Sequence, residues 1–383
     1  ATIATTGSHE HVVVIVLHHI ATDEWSDRPL LADLGTAYAA RRAGRAPAWS
    51  PLPVQYADYT LWQRELLGDR DDPASRLHAL LEYWLAVLDG MPDELVLPAD
   101  RPRAELPSDR GGAVTRVLPE ALRAGMGRLA RESRTSTFMI LHAAVAALLQ
   151  RMGVGDDIPL GAPIAGRGDA ALDGLIGFFV NTLVLRTDLR GDPSFWELLA
   201  RVRDADLAAF EHDALPFDRL VEAANPPRVP GRNPLFQVMV SFQDRGARPP
   251  EVPGLESELT LAPIGSSKFD LDFSAIEIRG RLSVELQYVT DRFDAATAEA
   301  LAERLEALLT QVVADPHRPV SAIDVLLEEE RRHVLGGFAA DPAPAAELTL
   351  TALLDEQARR TPDAIAVIAD TGRTPQRHGE EPG

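Results

Sequence analysis

Apolar positions along the chain follow two spacings, one typical of helices and one typical of strands. A largely apolar run over residues 11–17 has the composition of a strand, and further strands are predicted over 113–118, 234–243, 269–278, 281–289 and 364–368. Helical spacing predicts helices over 27–44, 54–67, 76–89, 136–152, 194–210, 294–313 and 349–360. Several strands follow one another directly, so the pattern predicts an α/β fold whose sheet is antiparallel in part.

Two of the predicted helices begin at residues that are favourable at the N-cap position. Ser26 or Asp27 is expected to cap the helix that begins near residue 27. Asp192 and Pro193 are expected to be the cap and the first residue of the helix over 194–210.

Segments rich in proline and glycine divide the predicted elements into parts. The segment 97–112 predicts a crossover between two bodies, and the segments 315–319 and 339–345 predict a linker. The predicted parts are therefore 1–112, 113–314, a linker over 315–348 and the truncated start of a further domain over 349–383. The last residues, from 373 onward, lack an apolar period and are expected to be disordered.

Composition excludes several classes of function. No stretch reaches the ~18 apolar residues of a membrane helix, and the first residues lack the features of a signal peptide, so we expect a cytoplasmic protein without a membrane partner. The absence of cysteine excludes disulfides, thiolate catalysis and zinc sites built on sulfur. The net charge of −20 argues against a nucleic-acid partner, because such surfaces depend on Lys and Arg meeting phosphate.

Two adjacent histidines and an aspartate lie where the first apolar run ends. Alternation along a strand would point the His18 and His19 rings to opposite sides, so that one ring could line a cleft while the other packs or is solvated. Because histidine ordinarily titrates near ~6.5, a ring in a cleft could accept a proton from an amine near neutral pH. Metal binding by these histidines and Asp23 is disfavoured, since adjacent strand histidines rarely converge on one ion and no third ligand follows at a recognisable spacing.

The segment around these histidines and four later segments match known motifs in the same order. Together they resemble the condensation-domain superfamily of nonribosomal peptide synthetases, which belongs with chloramphenicol acetyltransferase-like acyltransferases. The matching segments are His18-His-Ile-Ala-Thr-Asp23 for HHxxxD, Tyr56-Ala-Asp-Tyr-Thr-Leu-Trp62 for YxDYxxW, Ile176-Gly-Phe-Phe-Val-Asn-Thr-Leu-Val-Leu-Arg186 for IGxFVNTxxxR, Leu215-Pro-Phe-Asp-Arg-Leu220 for PFExL, and Arg232-Asn-Pro-Leu-Phe-Gln-Val238 for RNPLFQV. The residues 349–368 also resemble the entry to an adenylation domain.

The resemblance implies an acyltransferase that forms a peptide bond between two thioesters held by carrier proteins. The implied fold is a V of two lobes, with a tunnel that phosphopantetheine arms enter from opposite sides. The implied partners are the upstream and downstream peptidyl carrier domains and a downstream adenylation domain. No cofactor is implied to bind the chain directly, because the carriers present the phosphopantetheine.

The resemblance also assigns roles to residues of the first and third motifs. His19 is expected to position or deprotonate the acceptor amine, with His18 beside it at the catalytic site. Asp23 is expected to be structural and to form a buried ion pair with Arg186, the arginine that ends the third motif. Loss of one partner of such a pair would strand a charge and cost about 3 to 5 kcal/mol.

Five further residues are expected to line the tunnel, namely Glu24, Trp25, Asn181, Thr182 and Ser266. Glu24 stands where most of the family has glycine, which adds a charge and restricts φ. Asn181 and Thr182 could orient the acyl chain, or could only satisfy backbone groups. A serine nucleophile at Ser266 is disfavoured, because no histidine or aspartate motif accompanies it.

The aromatic residues of the second motif favour packing over chemistry. Tyr56, Tyr59 and Trp62 lie three residues apart and would share one side of a helix.

The chain begins just before the HHxxxD motif, so we expect most of the N-terminal lobe to be missing and the chain alone to be inactive. A second hypothesis is a condensation-like module that binds carriers or recruits a partner enzyme without catalysis. The presence of both motif histidines favours catalysis in the parent protein. An epimerisation domain or an acyltransferase that uses coenzyme A is disfavoured by the adenylation-like segment. The sequence leans toward an L-configured donor and does not identify the amino acids that are joined.

Overall fold

The structure is a computed structural model that describes residues 1–244, 249, 254–260, 262, 265–278, 280–338 and 349–362. The chain forms two compact units, residues 1–325 and 326–383. In the second unit the structure describes two helices, Glu328–Phe338 and Leu350–Arg360. The predicted strand over 364–368 and the predicted disorder from residue 373 lie outside the described residues.

The first unit is built on a six-stranded mixed sheet. Its strands are β3 (Gly111–Val117), β4 (Asp157–Ile164), β5 (Asn181–Asp188), β6 (Val238–Asp244), β7 (Leu271–Ile278) and β8 (Arg281–Val289). Their order is β3-β8-β7-β6-β4-β5, with β6 parallel to both neighbours and the other pairs antiparallel. The predicted mixture of antiparallel and other strand pairs is therefore confirmed.

Helices packed against this sheet hold the main core. The helices of the first unit are α1 (Asp27–Arg42), α2 (Tyr56–Leu67), α3 (Arg76–Leu88), α4 (Glu120–Ser133), α5 (Thr137–Arg151), α6 (Phe195–Glu211), α7 (Phe217–Ala224) and α8 (Ala295–Ala314). The helix α5 is apolar around most of its circumference and is buried between the sheet and its neighbours α4, α6 and α8. The core continues through Val320 and Ile323, so the predicted linker begins inside the first unit.

The two remaining strands form a separate sheet. The strands β1 (Thr2–Gly7) and β2 (Glu10–Val14) pair antiparallel with each other, and nearly all of their residues are exposed. The apolar run continues to Leu17, yet the strand ends at Val14. The expectation that His18 and His19 alternate along a strand is therefore wrong.

The helices were confirmed, and Ser26 is at the N-cap position of α1 as predicted, but the predicted cap of α6 was wrong. Ser194, and not Asp192, caps α6, and Asp192 has a positive φ of 50°. Ser26 makes no capping hydrogen bond to α1, because its hydroxyl is used elsewhere. The division predicted at residue 112 stays a prediction, since both predicted parts fall within the first unit.

Candidate active site

The two histidines lie in a short 3₁₀ turn, His19–Ala21, that links β2 to α1. His18 is the cap of this turn, and its Nδ1 lies 3.1 Å from the amide nitrogen of Ile20. The Nδ1 of His19 lies 2.7 Å from the carbonyl oxygen of Thr22. Both residues are exposed, and the His19 and Phe178 rings make a T-shaped contact with a centroid distance of 5.0 Å. The turn thus fixes one nitrogen of each ring and leaves the other to solvent or ligand.

Asp23 is buried directly after this turn and anchors it to the sheet. Its Oδ1 accepts hydrogen bonds from the amide and the hydroxyl of Ser26, at 3.0 and 2.8 Å. Its Oδ2 accepts from the amides of Phe179 and Val180, at 2.9 and 3.2 Å, just before β5 begins. A carboxylate that satisfies donors on two segments ties them together, because removing it would leave buried amides without partners.

The ion-pair partner of Asp23 is Arg167, and the predicted pairing with Arg186 is wrong. The Nη2 of Arg167 lies 3.1 Å from Asp23 Oδ1, and both side chains are almost fully buried. Arg186 instead makes a two-pronged ion pair with Asp157 on the neighbouring strand β4. It also donates to the carbonyls of Val87 and Asp89 at the end of α3. Arg186 therefore fastens α3 to the edge of the sheet.

Arg167 was missed because it lies outside the five matching motifs, nine residues before Ile176. It follows Gly166, whose φ is +62° and whose added Cβ would overlap the carbonyl oxygen of Phe179. The guanidinium also donates to the carbonyls of Leu172 and Leu175 and lies 4.2 Å from the Phe179 ring centre. A glycine-arginine pair before a buried loop is the only signal that could have indicated this residue.

The aromatic residues of the second motif pack beneath the same loop, as predicted. The rings of Tyr56 and Tyr59 lie 5.0 and 4.8 Å from the Phe179 ring, and the Tyr56 hydroxyl donates to the carbonyl of Phe178 at 2.7 Å. Burial is the main cause that raises the pKa of both tyrosines, so each keeps its proton. Trp62 is half exposed.

Asn181 satisfies backbone groups, which was one of its two predicted roles. Its Nδ2 donates to the carbonyls of Asp213 and Leu215, at 2.9 and 2.7 Å, and its Oδ1 accepts from the amide of Phe217 at 3.0 Å. The side chain thereby joins the third motif to the fourth. Thr182, its neighbour on β5, is partly buried opposite Pro163 of β4.

The other predicted tunnel residues lie in two places. Glu24 and Trp25 form a short 3₁₀ helix directly after Asp23, and both are exposed. Ser266 pairs in a β-bridge with Arg110, on the segment that leads into β3. Their roles as tunnel residues stay predictions.

The sheet face opposite α5 carries a polar strip that the sequence did not indicate. Ser241 on β6 and Ser274 on β7 share a hydrogen bond of 2.8 Å, and Ser274 lies 3.1 Å from Asp272 Oδ1. On β8, Glu285 lies opposite Ser274 and accepts from Gln287. Burial, aided by Glu285, raises the pKa of Asp272 to about 6.

A buried group resembles a catalytic triad but has no access to a substrate. His142 of α5 lies 3.0 Å from Asp206 of α6 and 2.8 Å from the Thr187 hydroxyl of β5. All three residues are buried in the main core. The contacts therefore join three elements and do not form a site.

Neither a metal site nor a membrane span is found in the described part of the chain. No three metal-ligating side chains converge among the residues placed by the structure. Within the same residues, none of the helices combines the length and the apolar character needed to cross a membrane.

Comparisons with known proteins agree with this architecture. The family model described as Condensation domain matches residues 1–335. The chain is 48% identical over 366 residues to the probable non-canonical nonribosomal peptide synthetase CymA of Salinispora arenicola (strain CNS-205), covering 94% of this chain and 5% of that protein. It is 46% identical over 369 residues to a dimodular nonribosomal peptide synthase of Bacillus subtilis (strain 168), covering 94% of this chain and 16% of the synthase. The chain thus spans a small part of these relatives.

Solved structures show the same fold. The X-domain from teicoplanin biosynthesis superposes with a TM-score of 0.76 at 34% identity, covering 80% of this chain and 70% of that one. The first condensation domain of the calcium-dependent antibiotic synthetase superposes with a TM-score of 0.64 at 22% identity, covering 80% of this chain and 65% of that one, and supports the chloramphenicol acetyltransferase-like fold alone. The family match over most of the length, together with the histidine turn anchored by Asp23, shows that the chain belongs to the condensation-domain family of nonribosomal peptide synthetases.

Proposed function

We propose that this chain forms a peptide bond between a donor acyl or peptidyl thioester and an acceptor aminoacyl thioester, each held by the phosphopantetheine arm of a carrier protein. The observation that carries the proposal is the hydrogen bond from His19 Nδ1 to the Thr22 carbonyl. Because a carbonyl oxygen only accepts, the proton of a neutral His19 ring lies on Nδ1 and its Nε2 is a free acceptor. An exposed ring with a free acceptor nitrogen can bind the N–H of an attacking amine.

The reaction requires few groups from the protein. The amine nitrogen attacks the thioester carbon, the new C–N bond forms, and the C–S bond breaks. The proton lost by the amine passes to His19 Nε2 and can be returned to the departing thiolate sulfur. Alignment of the two reactants can supply several kcal/mol of the barrier, so His19 can contribute by orientation as well as by proton transfer.

The anchored turn supports this role, since it holds the His19 backbone against the sheet. Asp23 binds the amides of Phe179 and Val180, and Arg167 neutralises the buried carboxylate. Alignment depends on such rigidity, because small displacements of a positioned group lose much of its effect. Catalysis is therefore favoured over a role limited to binding carriers or recruiting a partner enzyme.

We propose upstream and downstream carrier domains and a downstream adenylation domain as the partners, because the relatives of this chain are multidomain synthetases.

The test is His19→Ala in a synthetase module that contains this chain, with both carriers loaded beforehand. We expect dipeptide formation in a single turnover to fall by about a hundredfold or more, the usual range for a lost acid–base group. Loading of both carriers should be unchanged. His9→Ala is the matched control, because His9 is exposed in the turn between β1 and β2. An undiminished rate in His19→Ala would exclude this role for His19, and a wild-type module without dipeptide formation would favour the non-catalytic alternative.

A further inference from the structure

Of the two adjacent histidine rings, one contacts a backbone donor and the other a backbone acceptor. The Nδ1 of His18 faces the Ile20 amide, which can only donate, so this nitrogen must accept and the ring proton lies on Nε2. The Nδ1 of His19 faces the Thr22 carbonyl, which can only accept, so here the proton lies on Nδ1. In their neutral forms the rings therefore present opposite groups outward, an Nε2–H donor on His18 and a bare Nε2 on His19.

We infer that His18 and His19 are held as opposite neutral tautomers, and that His18 is a positioning residue whose ring caps the turn that orients His19. The role assigned to His19 rests on the proposed function, whereas the two tautomers do not depend on it.

The coupling between the two rings runs through the turn. The turn has two backbone hydrogen bonds, from Ala21 to the His18 carbonyl at 2.9 Å and from Thr22 to the His19 carbonyl at 3.3 Å. The His18 ring adds a third at the N-terminal end, and the His19 ring adds a fourth to Thr22. A 3₁₀ turn of three residues has little stability of its own, so loss of the cap should free the Thr22 carbonyl from the His19 ring.

Because His18 is exposed, its capping hydrogen bond can be removed with little change in packing. Since the ring is exposed, little apolar contact is lost when it is replaced. An asparagine at this position carries its Oδ1 as many bonds from the backbone as the histidine Nδ1, and asparagine is among the most favoured caps. His18→Asn should therefore keep the turn, whereas His18→Leu keeps bulk and removes the acceptor.

The first experiment is nitrogen NMR of the full chain labelled with ¹⁵N in its histidine rings, about two pH units above the ordinary imidazole pKa of ~6.5. The protonated and bare nitrogens of a neutral ring have widely separated shifts, and each His variant assigns its own signals. We expect a pure Nε2–H pattern for His18 and a pure Nδ1–H pattern for His19. The His19 result is diagnostic, because an unconstrained imidazole favours the Nε2–H form.

The variants then test the positioning role. In His18→Leu the His19 signals should move toward a mixture of tautomers, and in His18→Asn they should stay at the Nδ1–H position. His9→Leu is the matched control and should leave the His19 signals in place, because His9 lies outside the turn. An unchanged His19 pattern in His18→Leu would overturn the positioning role, and a mixed pattern in the wild type would overturn the tautomer assignment.

Activity in the synthetase module gives a second readout. The rate should fall about fivefold or more in His18→Leu, the effect expected from a lost cap, and His18→Asn should recover most of the loss. Equal loss in both variants would show that the His18 Nε2–H acts directly on the reactants and would reject the positioning role. If the tautomers are as expected but the wild-type module forms no dipeptide, the proposed function fails and the tautomer assignment stands.

Discussion

The Asp23 carboxylate shows how one buried side chain can determine the conformation of a site. It accepts four hydrogen bonds from the amides of Phe179 and Val180 and from Ser26, and Arg167 balances its charge. The exposed histidine turn immediately precedes it, so the rigidity of the turn depends on a group that is itself buried. The ion pair can therefore be tested through stability alone.

We predict that Arg167→Met lowers the free energy of unfolding by about 3 to 5 kcal/mol, because it leaves the Asp23 carboxylate buried without its counter-charge. Urea unfolding of Asp23→Asn, Arg167→Met and the double variant would measure the coupling between the two residues. The coupling should be clear, at about 1 kcal/mol or more, since residues in direct contact do not act additively.

Arg186 provides the matched comparison, because its partner is Asp157 and not Asp23. The same cycle with Arg186→Met should give a coupling to Asp23 of less than about 0.5 kcal/mol. A strong coupling of Asp23 to Arg186 and none to Arg167 would contradict the arrangement described above.

Asp272 is the residue at which pH should act on stability. Burial raises the pKa of Asp272 to about 6 in the folded chain, whereas an unfolded aspartate titrates near ~3.9. The folded state thus binds the proton more tightly, so the stabilisation from Asp272 is fully present below about pH 4 and is lost as the pH rises through about 6. Asp272→Asn stays neutral and should exceed the wild type by about 2 kcal/mol at about pH 8, with no gain at about pH 4.

Urea unfolding at the two pH values measures this difference. Asp33→Asn, a change of the same kind at an exposed position on α1, is the control and should show no such gain. If Asp272→Asn is no more stable than the wild type at the higher pH, the carboxyl is not penalised by burial as the structure indicates.

At the scale of elements, periodicity predicted most of the longer helices and the strands β7 and β8, because each presents a continuous apolar face. The strand β4 was missed because Pro159, Gly161 and Pro163 interrupt its pattern. The helix α4 was missed because two glycines and many charged residues weaken its signal, although one side of it packs into the core.

The motifs indicated a candidate site but not its long-range contacts. The spacing of HHxxxD placed His18, His19 and Asp23 within one short segment, where the structure also has them. It could not show which arginine approaches Asp23, because this contact joins residues 144 positions apart and depends on the path of the loop between β4 and β5. Nor could alternation reveal that the strand ends before the histidines, since the apolar run continues to Leu17.

At the scale of the molecule, apolar burial is uneven along the first unit. The main core includes Leu80 and Trp84 of α3 early in the chain, and Val320 and Ile323 near the end of the first unit. The helices α1 and α2 contribute only Gly35 and Leu67 as fully buried residues. An isolated two-stranded sheet such as β1–β2 has little stability of its own. Local opening should therefore be much easier before residue 76 than after it.

Limited proteolysis should reveal this gradient, because cleavage follows the population of open states when opening and closing are fast. We expect a protease of broad specificity to remove β1–β2, α1 and α2 first and to cut again after Val325, where the first unit ends. The resistant core should extend from near Arg76 to near Val325, a larger piece than the predicted part 113–314, since Trp84 of α3 is buried in the same core as the sheet. N-terminal sequencing and mass measurement of the core, isolated under native conditions, locate both ends.

Trp84→Ala should lower the free energy of unfolding by about 3 to 5 kcal/mol and shift the first resistant residue toward the sheet. Survival of an intact 1–325 piece under conditions that cleave the second unit would show that the exposed N-terminal elements are as stable as the core.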